Sequence, residues 1–300
     1  MIDLHMHSNH SDGSNTVTEI LQKAQKLGLK AISITDHDTC AGHIELRNID
    51  VNKLYSGIII PGVELRCFYK QRIIEVLAYN IDVDKMQEWL DKFYEGKGHA
   101  EVQKKYLRQL YKTCMELNLY MVPIEEIKWN PEGEWAARTI YREMKADERN
   151  KEKLPEDLWN DYENFRHKYC YNLENIFYID KSEDLPSITE LLKAIKDAGG
   201  LAFLPHIYVY KWAPDIKEFI NELVDNYDIN GLECYYNNFT NEQTEYLKEL
   251  CDRKGLFKSG GSDYHGTKRP EVEMGIGIGS LCVPDEILLE WKDKTLLEVL

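Results

Sequence analysis

Imidazoles and carboxylates lie along this chain in short pieces that could together hold metal ions. They are His5-Met6-His7, Ser11-Asp12-Gly13, Asp36-His37-Asp38, Gly62-Val63-Glu64, Leu204-Pro205-His206 and Gly261-Ser262-Asp263-Tyr264-His265. Imidazole combined with carboxylate suits Mn, Fe, Zn or Co, whereas Ca and Mg prefer all-oxygen shells and structural Zn usually takes thiolate. In a strand, side chains repeat on one face every second residue, so His5 and His7 point the same way. Each piece also has an ordinary reading. Ser-Asp-Gly is turn chemistry, Asp36-His37-Asp38 a helix cap, and Gly260-Gly261-Ser262-Asp263 a strand end. Their conjunction points to a hydrolytic metalloenzyme.

Residues so far apart in sequence need elements that gather them. Helix signals and apolar strand runs alternate, which predicts a largely parallel sheet or barrel. Thr16-Val17-Thr18-Glu19, Ser187-Ile188-Thr189-Glu190 and Thr240-Asn241-Glu242-Gln243 are capping boxes, with stops at Gly28, Gly199-Gly200 and Gly255. Strands are expected at 2–6, 31–35, 57–63, 72–79, 200–205, 230–235 and 256–261. His7, His37, Glu64, His206, Glu233 and Asp263 fall at or just past the C-terminal end of such a strand, the face where parallel barrels place their chemistry. Glu233 reads as an orienting partner for a ligand His or an Arg. From 84 to 186 the pattern changes to charged, Tyr-rich helices, broken at Pro123 and Asn130-Pro131-Glu132-Gly133. The expected organisation is a barrel from 1–83 and 187–300 with a helical insertion, or lid, at 84–186. Residues 145–157, nearly all charged, read as a solvated helix or loop.

The totals restrict the partners. Fifty-two acidic against 37 basic residues give a formal charge of −15. No broad basic surface is available for long duplex nucleic acid, but a short or terminal nucleic-acid substrate remains compatible, because bound divalent ions reverse the local potential. The seven cysteines form no C-x-x-C pair and read as reduced thiols, with Cys67, Cys234 and Cys282 placed in strands. No leader-like or membrane-length apolar run is seen, so a cytoplasmic protein without a membrane partner is expected. His10, His43, His99 and His167 lack matching acidic motifs and read as surface or loop residues.

The series H-x-H-S-x-x-S-D-G, I-T-D-H-D-T, G-V-E, P-H, G-L-E and G-G-S-D-Y-H-G, spread from residue 1 to about 285, resembles the polymerase and histidinol phosphatase (PHP) family of metal-dependent phosphoesterases. The resemblance is to its branch of stand-alone nucleotide phosphatases and 5′-to-3′ exoribonucleases with a helical insert. It implies an α/β fold, a distorted (β/α)7 barrel, and two to three divalent ions, Mn first, with Fe, Zn or Mg as alternatives. His5, His7, Glu64 and Asp263 would hold one ion; Asp12, His37 and His265 a second; Glu64 and His206 a third, with Glu64 bridging. Where this branch carries a further His, the chain has Glu75, a harder ligand favouring Mn or Mg. Where the branch shows His-x-x-Arg on its lid helix, the chain reads Trp135-Ala136-Ala137-Arg138. Arg138 is thus a candidate phosphate grip and Trp135 a candidate base platform, with core packing as its ordinary role. Lys268 and Arg269 are further candidates for substrate binding, and Tyr208, Tyr210 and Tyr235-Tyr236 for base stacking or rim packing.

The implied reaction is hydrolysis of a phosphomonoester of a small nucleotide, such as a 3′,5′-bisphosphate nucleotide, or of an oligonucleotide 5′ end, by a metal-bound hydroxide. Asp12 or His265 would carry a proton to the leaving oxygen and Arg138 would neutralise charge. Two alternatives stand beside it: a small-metabolite phosphatase acting on a compound such as histidinol phosphate, and a catalytically silent metal-stabilised binding module. The sequence leaves the oligomeric state open.

Overall fold

The three capping boxes set the starts of three helices in the computed structural model, which describes residues 1–294. Thr16 accepts the N–H of Glu19 while the Glu19 carboxylate takes the N–H of Thr16, and helix Val17–Leu27 ends at Gly28 with φ 68°. Ser187 with Glu190 opens Ile188–Asp197, and Thr240 with Gln243 opens Asn241–Lys254, which closes at Gly255 with φ 68°. Left-handed backbone at the last residue is inexpensive only for glycine, which is why these stops are legible.

The chain forms two compact units. One comprises Met1–Lys92 and Pro186–Leu300, the other Phe93–Leu185. The first is a mixed α/β unit. Strands β1 (Ala31–Ile32) and β2 (Ile58–Ile59) pair in parallel, and β3 (Gly62–Tyr69), β4 (Arg72–Tyr79), β5 (Leu201–Leu204), β6 (Gly231–Tyr236) and β7 (Phe257–Gly261) form a five-stranded sheet in that order. The expectation of a largely parallel arrangement holds for β1–β2 and β5–β6–β7 but not for β4, which runs antiparallel to both β3 and β5. The cause is local. Lys70 and Gln71, at φ 43° and 62°, make a two-residue turn between Tyr69 and Arg72, and such a turn joins only antiparallel strands. β3 also runs past Glu64 to Tyr69, beyond the expected 57–63. Between β5, β6 and β7 the helices Ile216–Asn226 and Asn241–Lys254 supply the crossovers that parallel pairing requires.

The expected strand at 2–6 is present as single bridges, Asp3 to Ile32 and Met6 to Tyr264, rather than as a continuous ladder. Side chains occupy the backbone donors a ladder would use: the His5 N–H goes to the Asp3 carboxylate at 3.3 Å, and the Met6 N–H to the Thr35 hydroxyl at 3.2 Å. Among the described residues of this unit, Ile2, Leu4, Tyr79, Phe203 and Trp291 belong to one apolar cluster, and Met6, Ile20, Leu21, Ile32 and Ile34 to another. Cys282 is exposed and outside any strand, contrary to expectation, whereas Cys67 and Cys234 are buried in β3 and β6. His43 is also buried: the short helix Ala41–Glu45 presses its ring onto the carbonyl of Ile34, 2.8 Å away.

The second unit is helical, with Leu107, Leu110, Ile140, Met144, Leu158 and Phe165 in its core. Its longest helix, His99–Glu116, presents the apolar face expected from Val102, Tyr106, Leu110 and Cys114. The charged stretch 145–157 contains a 3-10 segment, Glu148–Lys153, anchored by fully buried Asn150. The Asn150 amide donates to the carbonyls of Tyr120 and Met144 at 2.9 and 2.8 Å and accepts the Tyr120 N–H at 2.7 Å. Among the described residues no helix is long and apolar enough to cross a membrane.

Candidate metal centre

Glu64 on β3 is the hub of a buried donor cluster. One carboxylate oxygen, Oε2, lies 3.2 Å from His5 Nε2, 3.4 Å from His7 Nε2 and 3.3 Å from His37 Nδ1; the other, Oε1, is 2.8 Å from His206 Nε2. Asp263 Oδ1 stands 3.2 Å from His7 Nε2 and 3.5 Å from both His5 Nε2 and His265 Nδ1. Asp12 Oδ1 reaches His265 Nε2 at 3.1 Å and His7 Nδ1 at 3.7 Å, and Oδ2 is 3.8 Å from His37 Nε2. Glu75, at the far edge, is 3.6 Å from His206 Nε2. The structure thus brings together His5, His7, Asp12, His37, Glu64, Glu75, His206, Asp263 and His265.

Donor atoms group within 4.8 Å of one another in three sets: His7, Asp12, His37 and His265; His5, His7 and Glu64; His37, Glu64 and Glu75. These sets overlap, with His7, His37 and Glu64 each in two of them. A further observation tests whether the cluster suits cations. His7 Nδ1 and Nε2, His37 Nδ1, His206 Nδ1 and His265 Nε2 are buried with no partner in hydrogen-bonding geometry. Buried polar atoms are nearly always satisfied, so a dense group of orphaned imidazole nitrogens beside carboxylates fits divalent ions as the missing partners.

The local backbone is built for this convergence. Asp263 and His206 sit just past β7 and β5 at φ 55° and 26°, a region non-glycine residues rarely occupy and one that marks sites holding stored strain. Gly261 lets β7 lie against the first segment: a Cβ there would come within 2.4 Å of the His5 backbone nitrogen. Asp36 is not among the clustered donors. It accepts the Ser8 N–H and the Ser8 and Ser11 hydroxyls at 2.6–2.7 Å, fixing the loop that carries Asp12.

Electrostatics divides the cluster. Burial drives the His7 imidazole down to about 4, whereas His206, buried as deeply, is raised to about 9 by its bond and proximity to Glu64 and by Glu75. His5 is also raised, since Glu64, Glu233 and Asp263 outweigh its burial. Burial works against the ionised forms of Asp12 and Asp263, yet their histidine neighbours hold both carboxyls well below the usual range. Glu75 goes the other way, raised by burial and by the charge of Glu64.

Glu233 does orient a histidine. Its Oε1 accepts from His5 Nδ1 at 2.9 Å, and its Oε2 takes the His206 backbone N–H at 2.6 Å. Carboxylate partners of this kind fix ring orientation, and their loss typically costs 10–100-fold in metal affinity. Glu233→Gln is therefore expected to weaken Mn binding by about 10–100-fold, read by metal titration of the chelator-stripped protein; unchanged affinity would remove Glu233 from the centre.

The remaining candidates are dispersed. Arg269 pairs with Asp263 Oδ2 and, with His37, Glu75, His206 and Tyr236, lines a cleft of about 240 Å³. Lys268 is exposed in a 3-10 turn. The Tyr236 hydroxyl donates to Asp263 Oδ2 at 2.9 Å, so its polar end supports a carboxylate. The Tyr210 hydroxyl accepts the Glu75 N–H at 2.8 Å, and the Tyr208 ring packs edge-on to Phe239. Arg138 and Trp135 belong to the helical unit. Arg138 stacks its guanidinium 4.6 Å from the centre of the Tyr162 ring, and Trp135, at 57% exposure, is not core.

Sequence reasoning missed Asp3. Fully buried, it accepts the N–H and hydroxyl of Ser262 at 2.9 and 2.5 Å and the Gly275 N–H at 2.7 Å, tying both ends of the unit beneath the site. Only its charge inside an otherwise apolar opening strand could have signalled it.

The sheet and its donor cluster together define a metal-dependent phosphoesterase. The chain belongs to the PHP domain family, whose family model matches residues 3–174. It is 24% identical over 88% of its length to a phosphoribosyl 1,2-cyclic phosphate 1,2-diphosphodiesterase of Eggerthella lenta, covering 94% of that protein. A 5′-3′ exoribonuclease of Haemophilus influenzae is 27% identical, with 88% and 89% of the two chains covered. A 3′,5′-nucleoside bisphosphate phosphatase of Chromobacterium violaceum is 23% identical, with 88% and 87% covered. Among solved structures, an amidohydrolase from Chromobacterium violaceum with bound sulfate and no metal superposes with a TM-score of 0.59, at 21% identity and 96% coverage of each chain.

Proposed function

We propose that the protein hydrolyses a phosphomonoester of a small nucleotide bearing a second phosphate, such as a 3′,5′-bisphosphate nucleotide, or of an oligonucleotide 5′ end. The observation that carries this reading is the buried convergence of imidazoles and carboxylates around Glu64, opening to a cleft that Arg269 also lines. Two of the relatives have names denoting substrates with two phosphate groups, which supports the second phosphate.

In this reading His5, His7, Glu64 and Asp263 hold one divalent ion, Asp12, His37 and His265 a second, and Glu64, Glu75 and His206 a third. Mn is the first choice, with Fe, Zn or Mg as alternatives, and the carboxylate of Glu75 favours Mn or Mg at its position. Bound there, such ions would acidify water and neutralise phosphoryl charge. The protein groups do the rest. Glu233 and Tyr236 hold His5 and Asp263 in place. Asp12 or His265 carries a proton to the leaving oxygen. Arg269 and Lys268 receive phosphate oxygens, and Arg138, on the helical insertion, is assigned the second phosphate through its planar fork. The single bridges Asp3–Ile32, Met6–Tyr264 and His37–Glu64 support treating the opening segment, β1, β2 and β3 taken as one interrupted strand, and β4 to β7 as one distorted seven-stranded barrel.

The test is the ratio of kcat/KM for a 3′,5′-bisphosphate nucleotide to that for histidinol phosphate, with Mn present. A ratio above one is expected in the wild type. Arg138→Ala should lower it by roughly 10–100-fold, the equivalent of one charge-assisted hydrogen bond of about 1.5–3 kcal/mol. A wild-type ratio below one transfers the reading to small-metabolite phosphatases, and no turnover even of an aryl phosphate transfers it to a silent binding module.

A further inference from the structure

The helical unit contains a second built pocket, separate from the donor cluster. A slot of about 80 Å³ is lined by Tyr106, Trp135, Tyr162, Tyr171, Arg166 and Lys181, among others. Four aromatic rings and two cations share one small opening in a chain whose formal charge is −15. The Lys181 ammonium lies 4.3 Å from the centre of the Tyr171 ring. Arg166 is carried on a π-helical turn, Phe165–Cys170, a rare geometry frequent at functional sites. Its guanidinium is only partly engaged: one end meets Glu163 at 2.8 Å and His167 at 2.7 Å, while Nε is buried with no hydrogen-bond partner.

Rings that can stack, next to the Arg166 guanidinium and the Lys181 ammonium, match a flat heteroaromatic base attached to a phosphate. We propose that this pocket binds the base and phosphate of a nucleotide, the base stacking on Trp135 or Tyr162 and the phosphate bonding to Arg166 and Lys181. The inference deepens the nucleotide reading given above and rests on it for the kind of ring. The ligand is either a free nucleotide or one residue of a single strand, and both present the same chemistry.

The experiment is equilibrium binding to the full chain in excess EDTA, so that occupancy is read without turnover. AMP is expected to bind at least about tenfold more tightly than ribose 5-phosphate or adenosine, each of which lacks one half of the recognised group. Trp135→Ala removes an exposed ring, and Arg166→Gln removes the charge. Each should weaken AMP binding by roughly 5–150-fold, the range for a lost stacking or charge-assisted contact. Arg166→Lys, which keeps the charge without the fork, should recover part of the loss. A 5′-hydroxyl dinucleotide binding more tightly than AMP assigns the pocket to a strand; the reverse assigns it to free nucleotide. AMP binding that is absent, or unchanged in both Trp135→Ala and Arg166→Gln, overturns the proposal. Nucleotide turnover without this binding would sink the pocket alone, and binding without nucleotide turnover would sink the proposed function alone.

Discussion

Asp263→Asn should reduce turnover of an aryl phosphate with Mn by more than about a hundredfold, the upper end of what losing only an outer partner of a metal ligand costs. Asp263 Oδ1 lies within 3.5 Å of His5, His7 and His265, and Oδ2 takes the Tyr236 hydroxyl and the Arg269 guanidinium. Asparagine is nearly the same size and tolerates the φ of 55° found there, so the turn should survive. What disappears is one negative charge among imidazoles and an arginine. The measurement is kcat, with circular dichroism to confirm the fold. A variant retaining more than about a tenth of wild-type turnover would fall outside the 10–100-fold loss expected even for an outer partner and would remove Asp263 from the metal site. His7→Ala should act in the same direction, because both of its ring nitrogens lack other partners.

Chelation should lower the melting temperature. Asp12, Glu64, Glu75 and Asp263 crowd one cluster, and without metal ions their repulsion is offset by neighbouring histidines and by Arg269 beside Asp263. His206 is raised to about 9, and Glu75 is raised by burial and Glu64. An ion binding only the folded state, at a thousandfold excess over its dissociation constant, contributes about 4 kcal/mol. For a unit of this size that corresponds to roughly 8–16 °C. Scanning calorimetry with Mn and then with EDTA gives the difference directly. Coincident transitions would mean that the cluster binds no ion with useful affinity.

Part of the site was legible because His206 and Asp263 fall just past β5 and β7, and strand ends converge when strands share a sheet, whereas Glu64 lies near the start of β3. His5 and His7 needed only the two-residue repeat, and Glu64, His206 and Asp263 only a preceding apolar run. The helix starts were equally plain, since a capping box is complete within four residues. Other features depend on partners far away in sequence. The β3–β4 hairpin was hidden because Lys70-Gln71 lacks the Asn-Gly signature of such turns. The charge of Asp3 was the one sign of its role, because its partners, Ser262 and Gly275, lie at the other end of the chain. His43 looked like a surface residue because burial against Ile34 depends on how a five-residue helix docks, which no local pattern encodes.

The link from Asp3 to Ser262 spans 259 positions, and this has a consequence for how the protein is made. At about 5–20 residues per second, the ribosome takes roughly 13–50 s to bring Ser262 into existence after Asp3. For all that time His5 and His7 are in a nascent chain without Asp263 or His265 to complete their surroundings. Closure of the site therefore cannot precede synthesis of residue 265. A chain truncated anywhere between residues 7 and 263 has the first histidine pair but lacks Asp263 and His265.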